Sequence, residues 1–260
     1  MADAFCSIVF PAPCRVCGET LDRASRLPVC TLCLASFTEI TRPICSRCGR
    51  PILSPHVKES NTALCQICLA DTYDFDVARN YAYYDAPMIR AILLLKHGGV
   101  PPLGAWFAER VAEVVSPEAG NFEADVVIPV PLHRARYRER GYNQAELIAR
   151  PLARQLGLPL RKDVLVRSRP RPGALRLTRI QRWSTVQGAF ATRRGAKVDK
   201  LRILLVDDVM TTGATLDACS RVLRRAGAAR VMALTVARTP AYSGQVPASA
   251  SGAQPQDDDD

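Results

Sequence analysis

The sequence predicts an α/β fold in which a parallel sheet flanked by helices follows a small cysteine-rich module. Four C-x-x-C pairs lie before residue 70. Further along the chain, residues 126–156 and 201–227 each run from an apolar strand pattern through a loop into an amphipathic helix pattern. Such repeated alternation of strands and helices is typical of a parallel sheet.

Length and composition fit a globular protein of one or two domains. The 260 residues are 48% hydrophobic and 23% charged, and the net charge of +10 favours anionic partners. No apolar run approaches the length that spans a membrane. The first fourteen residues lack the basic start and the apolar core of a signal peptide. We therefore expect a cytoplasmic protein without membrane insertion.

The cysteines predict a double zinc-ribbon module over residues 1–72. Nine of the ten cysteines precede residue 70, and this crowding without an export signal favours metal over disulfides. Two C-x-x-C pairs complete one tetrahedral zinc site, so four pairs predict two structural sites. Grouping in sequence order is simplest, and an interleaved arrangement stays open. The eight predicted ligands are Cys14, Cys17, Cys30, Cys33, Cys45, Cys48, Cys65 and Cys68.

A second domain is predicted over residues 73–240, beginning with a strand at 78–84 and a short apolar helix at 88–95. This helix ends at Lys96, which either reaches a phosphate or is a solvated helix end. Another helix starts at Pro101. The small, polar and acidic residues 241–260 predict a disordered tail.

The first strand-loop-helix unit begins with the buried strand pattern of residues 126–128. Asn143 is a candidate N-cap for the helix that ends the unit, with Ile148, Leu152 and Leu156 on its apolar face. Between strand and helix lies a loop that two prolines stiffen. Ligands of parallel sheets bind at the carboxyl ends of the strands, where this loop is well placed for a pyrophosphate. We therefore call it the pyrophosphate loop, and its residues are Pro129, Val130, Pro131, Leu132 and His133.

The second unit places two adjacent carboxylates, Asp207 and Asp208, after an apolar strand pattern. A turn of small and hydroxyl residues follows and opens a helix whose apolar face includes Cys219. We call this turn the phosphate loop, because the amino terminus of a helix attracts phosphate. Its residues are Thr211, Thr212, Gly213, Ala214 and Thr215.

The order of these groups predicts a phosphosugar site. The carboxylates are placed to accept hydrogen bonds from ribose hydroxyls or to hold Mg²⁺, while the phosphate loop binds the 5-phosphate. Because ligands bind at the carboxyl ends of parallel strands, we expect the pyrophosphate loop at the same edge. The alternative is a plain strand-turn-helix unit with exposed acids.

Three motifs carry a family resemblance. The sequence VDDVMTTGAT resembles the phosphoribosyl pyrophosphate (PRPP) signature of type I phosphoribosyltransferases. Together with IPVPLHRARYRERGYNQAELIAR and the cysteine-rich start, it makes residues 5–240 similar to the competence protein F (ComF) family. The resemblance implies that Asp207 and Asp208 hold the ribose of a Mg²⁺–PRPP complex and that residues 211–215 cradle its 5-phosphate. It also implies a role in natural transformation, the uptake of single-stranded DNA.

Residues 134–194 are strongly basic, with sixteen arginine and lysine residues against three acidic ones. Within them, residues 166–190, which we call the basic loop, occupy the position of the mobile loop that closes over PRPP in type I phosphoribosyltransferases. The arginines expected to face the leaving pyrophosphate are Arg169, Arg171, Arg176, Arg179 and Arg182. The alternatives are a groove for single-stranded DNA, with Trp183 and Tyr137 or Tyr142 as stacking platforms, and a solvated mobile loop.

Two functional hypotheses follow. In the first, the protein binds PRPP with Mg²⁺ and transfers its phosphoribosyl group to a nitrogen nucleophile on an unidentified acceptor. In the second, it is a non-catalytic module that binds single-stranded DNA for the DNA-uptake machinery, with PRPP or a nucleotide as a regulator. The first predicts turnover of PRPP, and the second predicts DNA binding that weakens steeply with salt.

Overall fold

The computed structural model describes residues 13–21, 25–52, 63–70, 73–170 and 178–240. Its strands are β1 (Val77–Tyr83), β2 (Val126–Pro129), β3 (Leu165–Arg167), β4 (Phe190–Thr192), β5 (Arg202–Met210) and β6 (Arg230–Arg238). Its α-helices are α1 (Thr31–Ala35), α2 (Gln66–Leu69), α3 (Ala86–Lys96), α4 (Pro102–Val115), α5 (Arg134–Arg140), α6 (Gln144–Gln155), α7 (Arg179–Val186) and α8 (Ala214–Arg225), with a 3₁₀ helix at Ser116–Phe122.

Four strands form one parallel sheet in the order β1-β6-β5-β2. The predicted parallel sheet is thereby confirmed, and its strands all end at one edge. Pro129 pairs with Val206 in register, and this position suits a residue without an N–H because β2 is an edge strand. The end of β2 therefore lies directly beside the carboxylates that follow Val206 in β5.

Side chains that alternate along the strands build two cores, one on each face of the sheet. Leu204 and Val206 of β5 pack with helices α3, α4 and α6 on one face. Ile203 and Leu205 pack on the opposite face with α8, where Cys219 is fully buried as predicted. Both faces of the sheet are covered, which explains the unbroken apolar runs in its central strands.

The two halves of the cysteine-rich module contribute to different cores. Cys14 and Cys33 belong to the core that includes α3 and α4, whereas Cys45, Cys48 and Cys68 belong to the core that includes α8. The eight cysteines form two groups in sequence order, so the interleaved arrangement is wrong. The module is thus packed against the sheet on both faces.

Three features of the fold differ from the sequence prediction. Strand β5 continues through Asp207 and Asp208 to Met210, because its neighbour β6 continues the ladder to Arg238. The acids are therefore strand residues and not loop residues. Helices α5 and α7 also form in segments for which no helix was predicted. Helix α7 begins with a capping box between Thr178 and Gln181.

The predicted domain limits at residues 72 and 240 stay predictions, and the predicted disordered tail at 241–260 lies outside the described residues. In the described part of the chain, no helix combines the length and the apolar character that a membrane crossing requires.

Candidate functional site

The two carboxylates lie buried at the carboxyl end of β5, with 7% of Asp207 and 4% of Asp208 exposed. A carboxylate oxygen of Asp207 accepts a hydrogen bond from the backbone N–H of Asp208 at 2.9 Å. Burial, and then the neighbouring charge of Asp208, raises the pKa of Asp207 well above its ordinary value. The two acids thus differ in their tendency to ionise, although they are adjacent in sequence.

Lys96, at the end of α3, is paired with this acidic site. Its Nζ lies 2.5 Å from Oδ2 of Asp208, and the lysine side chain is 19% exposed. Burial alone favours the neutral forms of both groups, but their mutual attraction outweighs it. The pKa of Asp208 is therefore lowered and the pKa of Lys96 is raised. Of the two predicted alternatives for Lys96, the solvated helix end is wrong.

The phosphate loop follows immediately after β5, and Gly213 is the N-cap residue of α8. Gly213 has a φ of +83°, which favours glycine. A Cβ at this position would lie 2.7 Å from Cε1 of Tyr73. The side chains of Thr211, Thr212 and Thr215 are half-buried, so their hydroxyls lie near the surface at the amino terminus of α8. The first turn of a helix also offers backbone N–H groups that have no partner within the helix.

An aromatic stack supports the phosphate loop from below. The Tyr73 hydroxyl donates a hydrogen bond to the carbonyl oxygen of Thr212 at 2.9 Å. The Tyr73 ring stacks on Phe75 at a centroid distance of 4.6 Å and on Trp183 at 5.9 Å. Trp183 belongs to α7, so this contact attaches the basic loop to the support of the phosphate loop. The predicted stacking platform at Trp183 is therefore already engaged within the protein.

The pyrophosphate loop begins inside β2 and ends at the cap of α5. The backbone N–H of Val130 donates to the carbonyl of Val206 at 2.8 Å, which holds the loop beside the acids. Asn143 donates from its side chain to the carbonyl of Val130 at 2.9 Å and caps α6 with its side-chain oxygen. Pro131, Leu132 and His133 are half-buried, and His133 caps α5 through Nδ1.

A polar wall beside the acids was not predicted as part of the site. Arg140 donates to Oε1 of the buried Gln144 and to Nε2 of His97 at 3.2 Å. A guanidinium only donates, so His97 accepts through this nitrogen. Burial and the adjacent cations Arg140 and Lys96 lower the pKa of His97, which keeps it neutral. The R-G-Y-N-Q motif and the Lys96-His97 dipeptide were the available signals, but only the fold brings them together.

The structure places only part of the basic loop. Arg169 is exposed and donates to the carbonyl of Gln187 at 3.5 Å. Arg182 is half-buried on α7. Arg171 and Arg176, and the side chain of Arg179, lie outside the described residues. Of the other predicted stacking residues, Tyr142 donates from its hydroxyl to the carbonyl of Leu95, whereas Tyr137 is 48% exposed.

The two cysteine groups have the chemistry and spacing of zinc sites. Tetrahedral thiolates at the usual Zn–S distance of about 2.3 Å lie about 3.8 Å apart. The sulfurs of Cys17 and Cys30 in the first group lie 3.8 Å apart, and those of Cys48 and Cys65 in the second lie 3.7 Å apart. Within each group all four sulfurs lie within 4.8 Å of one another. Both sets of residues therefore fit one zinc ion each.

Comparison with known proteins agrees with this architecture. Residues 5–69 match the family model of the Double zinc ribbon domain, and residues 143–256 match that of the Phosphoribosyl transferase domain. "DNA utilization protein YhgH" of Salmonella typhimurium is 27% identical over 235 residues, covering 89% of this chain and 99% of that protein. "Competence protein ComFC" of Bacillus subtilis is 28% identical over 228 residues, covering 81% and 84%. "Competence protein F" of Haemophilus influenzae is 33% identical over 132 residues, covering 50% and 55%.

Among solved structures, glutamine phosphoribosylpyrophosphate amidotransferase from B. subtilis is 20% identical with a TM-score of 0.39, covering 56% of this chain and 30% of that chain. Adenine phosphoribosyltransferase from Thermoanaerobacter pseudethanolicus is 15% identical with a TM-score of 0.34, covering 56% and 83%. Likeness at this level does not bear on activity. The chain therefore has a double zinc ribbon domain and a phosphoribosyl transferase domain, and its homologues include proteins named competence protein F, ComFC and DNA utilization protein YhgH.

Proposed function

We propose that this protein binds PRPP with Mg²⁺ at the carboxyl edge of its sheet, and that it supports DNA uptake in the cytoplasm during natural transformation. One observation supports this binding site above all. The acids of β5, the phosphate loop and the pyrophosphate loop meet at one edge, because β2 pairs with β5 in the register Pro129–Val206. A single phosphosugar with a pyrophosphate substituent has the chemistry to engage all three.

Each group of residues binds a different part of PRPP. Asp207 and Asp208 accept from the ribose hydroxyls, with Mg²⁺ at the same carboxylates. The backbone and hydroxyls of residues 211–215 bind the 5-phosphate, as helix amino termini do. The pyrophosphate loop and the arginines of the basic loop, among them Arg169 and Arg182, face the pyrophosphate. Mg²⁺, when bound, neutralises charge that builds on the departing oxygens.

In the catalytic form of the proposal, a nitrogen nucleophile forms a bond to the ribose C1 while the bond from C1 to the pyrophosphate oxygen breaks. The nucleophile loses its proton, and pyrophosphate leaves with the electron pair. The protein needs no covalent intermediate for this reaction. It holds the ribose in place and stabilises the leaving group, which are the effects that positioned polar groups supply.

Calorimetric titration of the zinc-loaded protein with PRPP and Mg²⁺ tests the pocket. We expect binding by the wild type and at least a hundredfold loss in Asp207→Ala/Asp208→Ala. The control is Asp163→Ala, which removes a carboxylate that is 71% exposed and should leave binding unchanged. A folded wild type that does not bind PRPP would refute the proposal. If the wild type binds PRPP, release of pyrophosphate in the presence of a nitrogen acceptor would establish phosphoribosyl transfer.

Helix α5 favours a second candidate, a binding module for single-stranded DNA. It contains no buried residue and presents arginines on an exposed surface beside Tyr137, and several relatives are named for DNA utilization or competence. Phosphate contacts make affinity fall steeply with salt. We expect Arg134→Gln/Arg138→Gln to reduce the slope of log affinity against log salt by about 2. Arg154→Gln/Arg225→Gln removes equal charge elsewhere, and an equal effect of both variants would refute a specific role of α5.

A further inference from the structure

Arg238, the last residue of β6, is a buried cation that has no carboxylate partner in the described part of the chain. Its side chain is 1% exposed. Its Nη1 donates to the carbonyl of Cys48 at 2.6 Å and approaches the sulfur of Met210 at 3.1 Å. Its Nη2 lies 3.8 Å from the sulfur of Cys48. Among the described residues, no acidic side chain forms an ion pair with it.

A buried charge of this kind needs a counter-charge. An unpaired buried cation is costly, whereas a paired and hydrogen-bonded one is tolerated. Zinc with four thiolates carries a net charge of about −2. In the second cysteine group, Cys45 and Cys48 are fully buried, Cys68 is 3% exposed and Cys65 is half-buried, so solvent screens this charge only weakly. With zinc bound, a largely buried dianionic site would therefore lie in contact with a buried cation.

The described residues around the first cysteine group include no such buried arginine. Its Cys17 is exposed to solvent, which can screen the charge of a zinc-thiolate site. The arginines near this group, Arg15 and Arg90, donate to the carbonyls of Gly98 and Val16. The two groups thus share their ligand set but differ in how their charge is compensated.

We propose that Arg238 is the counter-charge of the second zinc-thiolate site and positions Cys48 within it. The guanidinium is held there by the sheet, since Arg238 pairs in register with Met210 at the end of β5. The amide of Asn80 also donates to the Cys48 carbonyl at 3.4 Å, and its oxygen accepts from Thr235 of β6. Zinc binding in the second ribbon therefore depends on Arg238 of the sheet, and zinc binding in the first ribbon does not depend on this arginine.

The test measures zinc release from the full-length, zinc-loaded protein into a strong chelator, followed with a chromogenic zinc indicator. Arg238→Gln removes the charge but keeps a hydrogen-bonding group, and Arg238→Lys keeps the charge. Arg230→Gln, at the opposite end of the same strand, is the control. Cys17→Ser weakens the first site and so identifies which kinetic phase belongs to it.

We expect Arg238→Gln to release one of its two zinc ions about 10 to 100 times faster than the wild type, the range typical of residues that support metal ligands. The other zinc ion should keep its wild-type rate. Arg238→Lys and Arg230→Gln should stay within threefold of the wild type at both sites. This pattern would support the proposal that the positive charge of Arg238 stabilises the second zinc-thiolate site.

Other results would overturn the proposal. Equal acceleration at both sites would mean that Arg238 acts through general stability, and unchanged release would mean that it does not act on zinc. If Arg238→Gln does not fold, Arg238→Lys still decides, because release from the second site more than tenfold faster than wild type contradicts a role of charge. None of these outcomes depends on PRPP binding, so this inference and the proposed function fail separately.

Discussion

Nζ of Lys96 lies 2.5 Å from Oδ2 of Asp208, which joins the end of α3 to the acidic pair at the end of β5. Both side chains are largely shielded from solvent, so each one stabilises the charge of the other. Lys96 also sits in the last turn of its helix, where a cation is favoured. The ion pair keeps Asp208 ionised at a position where burial alone would favour the neutral acid.

Replacing Lys96 with methionine should therefore make PRPP binding sensitive to pH. Lys96 lowers the pKa of Asp208, whereas burial raises it, so the pKa of Asp208 should rise when the lysine is removed. As the pH falls, Asp208 then takes up a proton and can no longer serve as a carboxylate. We expect Lys96→Met to bind PRPP at least tenfold more weakly than wild type at pH 6 and to recover part of this loss at pH 8, as measured by calorimetry.

Lys162→Met is the control for this experiment, because Lys162 forms only a surface ion pair with Glu146 and is 59% exposed. Surface pairs contribute about 0–1 kcal/mol. A pH profile of Lys96→Met that runs parallel to the wild type would contradict the role assigned to the ion pair.

Asp207→Asn should stabilise the protein while it abolishes PRPP binding. The pKa of Asp207 is raised in the folded state by burial and by Asp208, so its neutral form contributes stability below the pKa of an unfolded aspartate, about 3.9. That contribution is lost as the pH rises through the folded pKa. Asparagine at position 207 cannot ionise, so the variant does not lose this stability as the pH rises. Its side-chain oxygen can still accept the hydrogen bond from the N–H of Asp208. We expect the Tm to rise by roughly 3 °C at pH 8 and by less at pH 5.5.

Calorimetric melting of the zinc-saturated protein at both pH values measures this effect. Asp163→Asn, at an exposed position, should leave the Tm unchanged at either pH. A lower Tm for Asp207→Asn at pH 8 would show that the ionised carboxylate is stabilising in the ligand-free protein, contrary to the prediction.

Gly213→Ala should disrupt the phosphate loop because the added Cβ clashes with its neighbours. A second glycine with a similar φ but open surroundings, Gly195, serves to separate this clash from backbone strain. Gly213 and Gly195 have φ angles of +83° and +80°, but a Cβ at Gly195 has no neighbour within 4 Å. Alanine at Gly195 should cost about 1–2 kcal/mol from the backbone alone. Alanine at Gly213 should cost more, because its Cβ meets Tyr73, and it should also weaken PRPP binding at least tenfold. Chemical denaturation and calorimetry measure the two effects, and equal losses of stability would contradict the steric role.

Tyr73→Phe should weaken the support of the phosphate loop and leave the aromatic stack in place. Burial raises the pKa of Tyr73 to about 12, so the hydroxyl donates to Thr212 throughout the neutral range. Loss of one such hydrogen bond costs about 1 kcal/mol. We expect a fall in the free energy of unfolding of this size, with unchanged Trp183 fluorescence. Tyr137→Phe, on an exposed helix, should have no effect, and a shift of the Trp183 emission in Tyr73→Phe would mean that the stack depends on the hydroxyl.

The sequence was most informative for features that depend on residues close together in the chain. The spacing of the cysteines predicted two groups of four, and the strand-loop-helix patterns around Val126 and Val206 predicted the parallel sheet. Asn143 was also identified as a cap from its position before an apolar helix face. These features are local in the chain, so residue type and spacing are enough to predict them.

The sequence by itself determined the ligand types, namely eight thiols, two adjacent acids and a glycine turn before a helix. Only the tertiary structure decided which groups meet. It grouped the cysteines in sequence order, placed Lys96 on Asp208, stacked Trp183 on Tyr73, and buried Arg238 against Cys48. Each of these pairs joins residues far apart in the chain. The order of the strands in the sheet sets such contacts, and residue spacing does not encode that order.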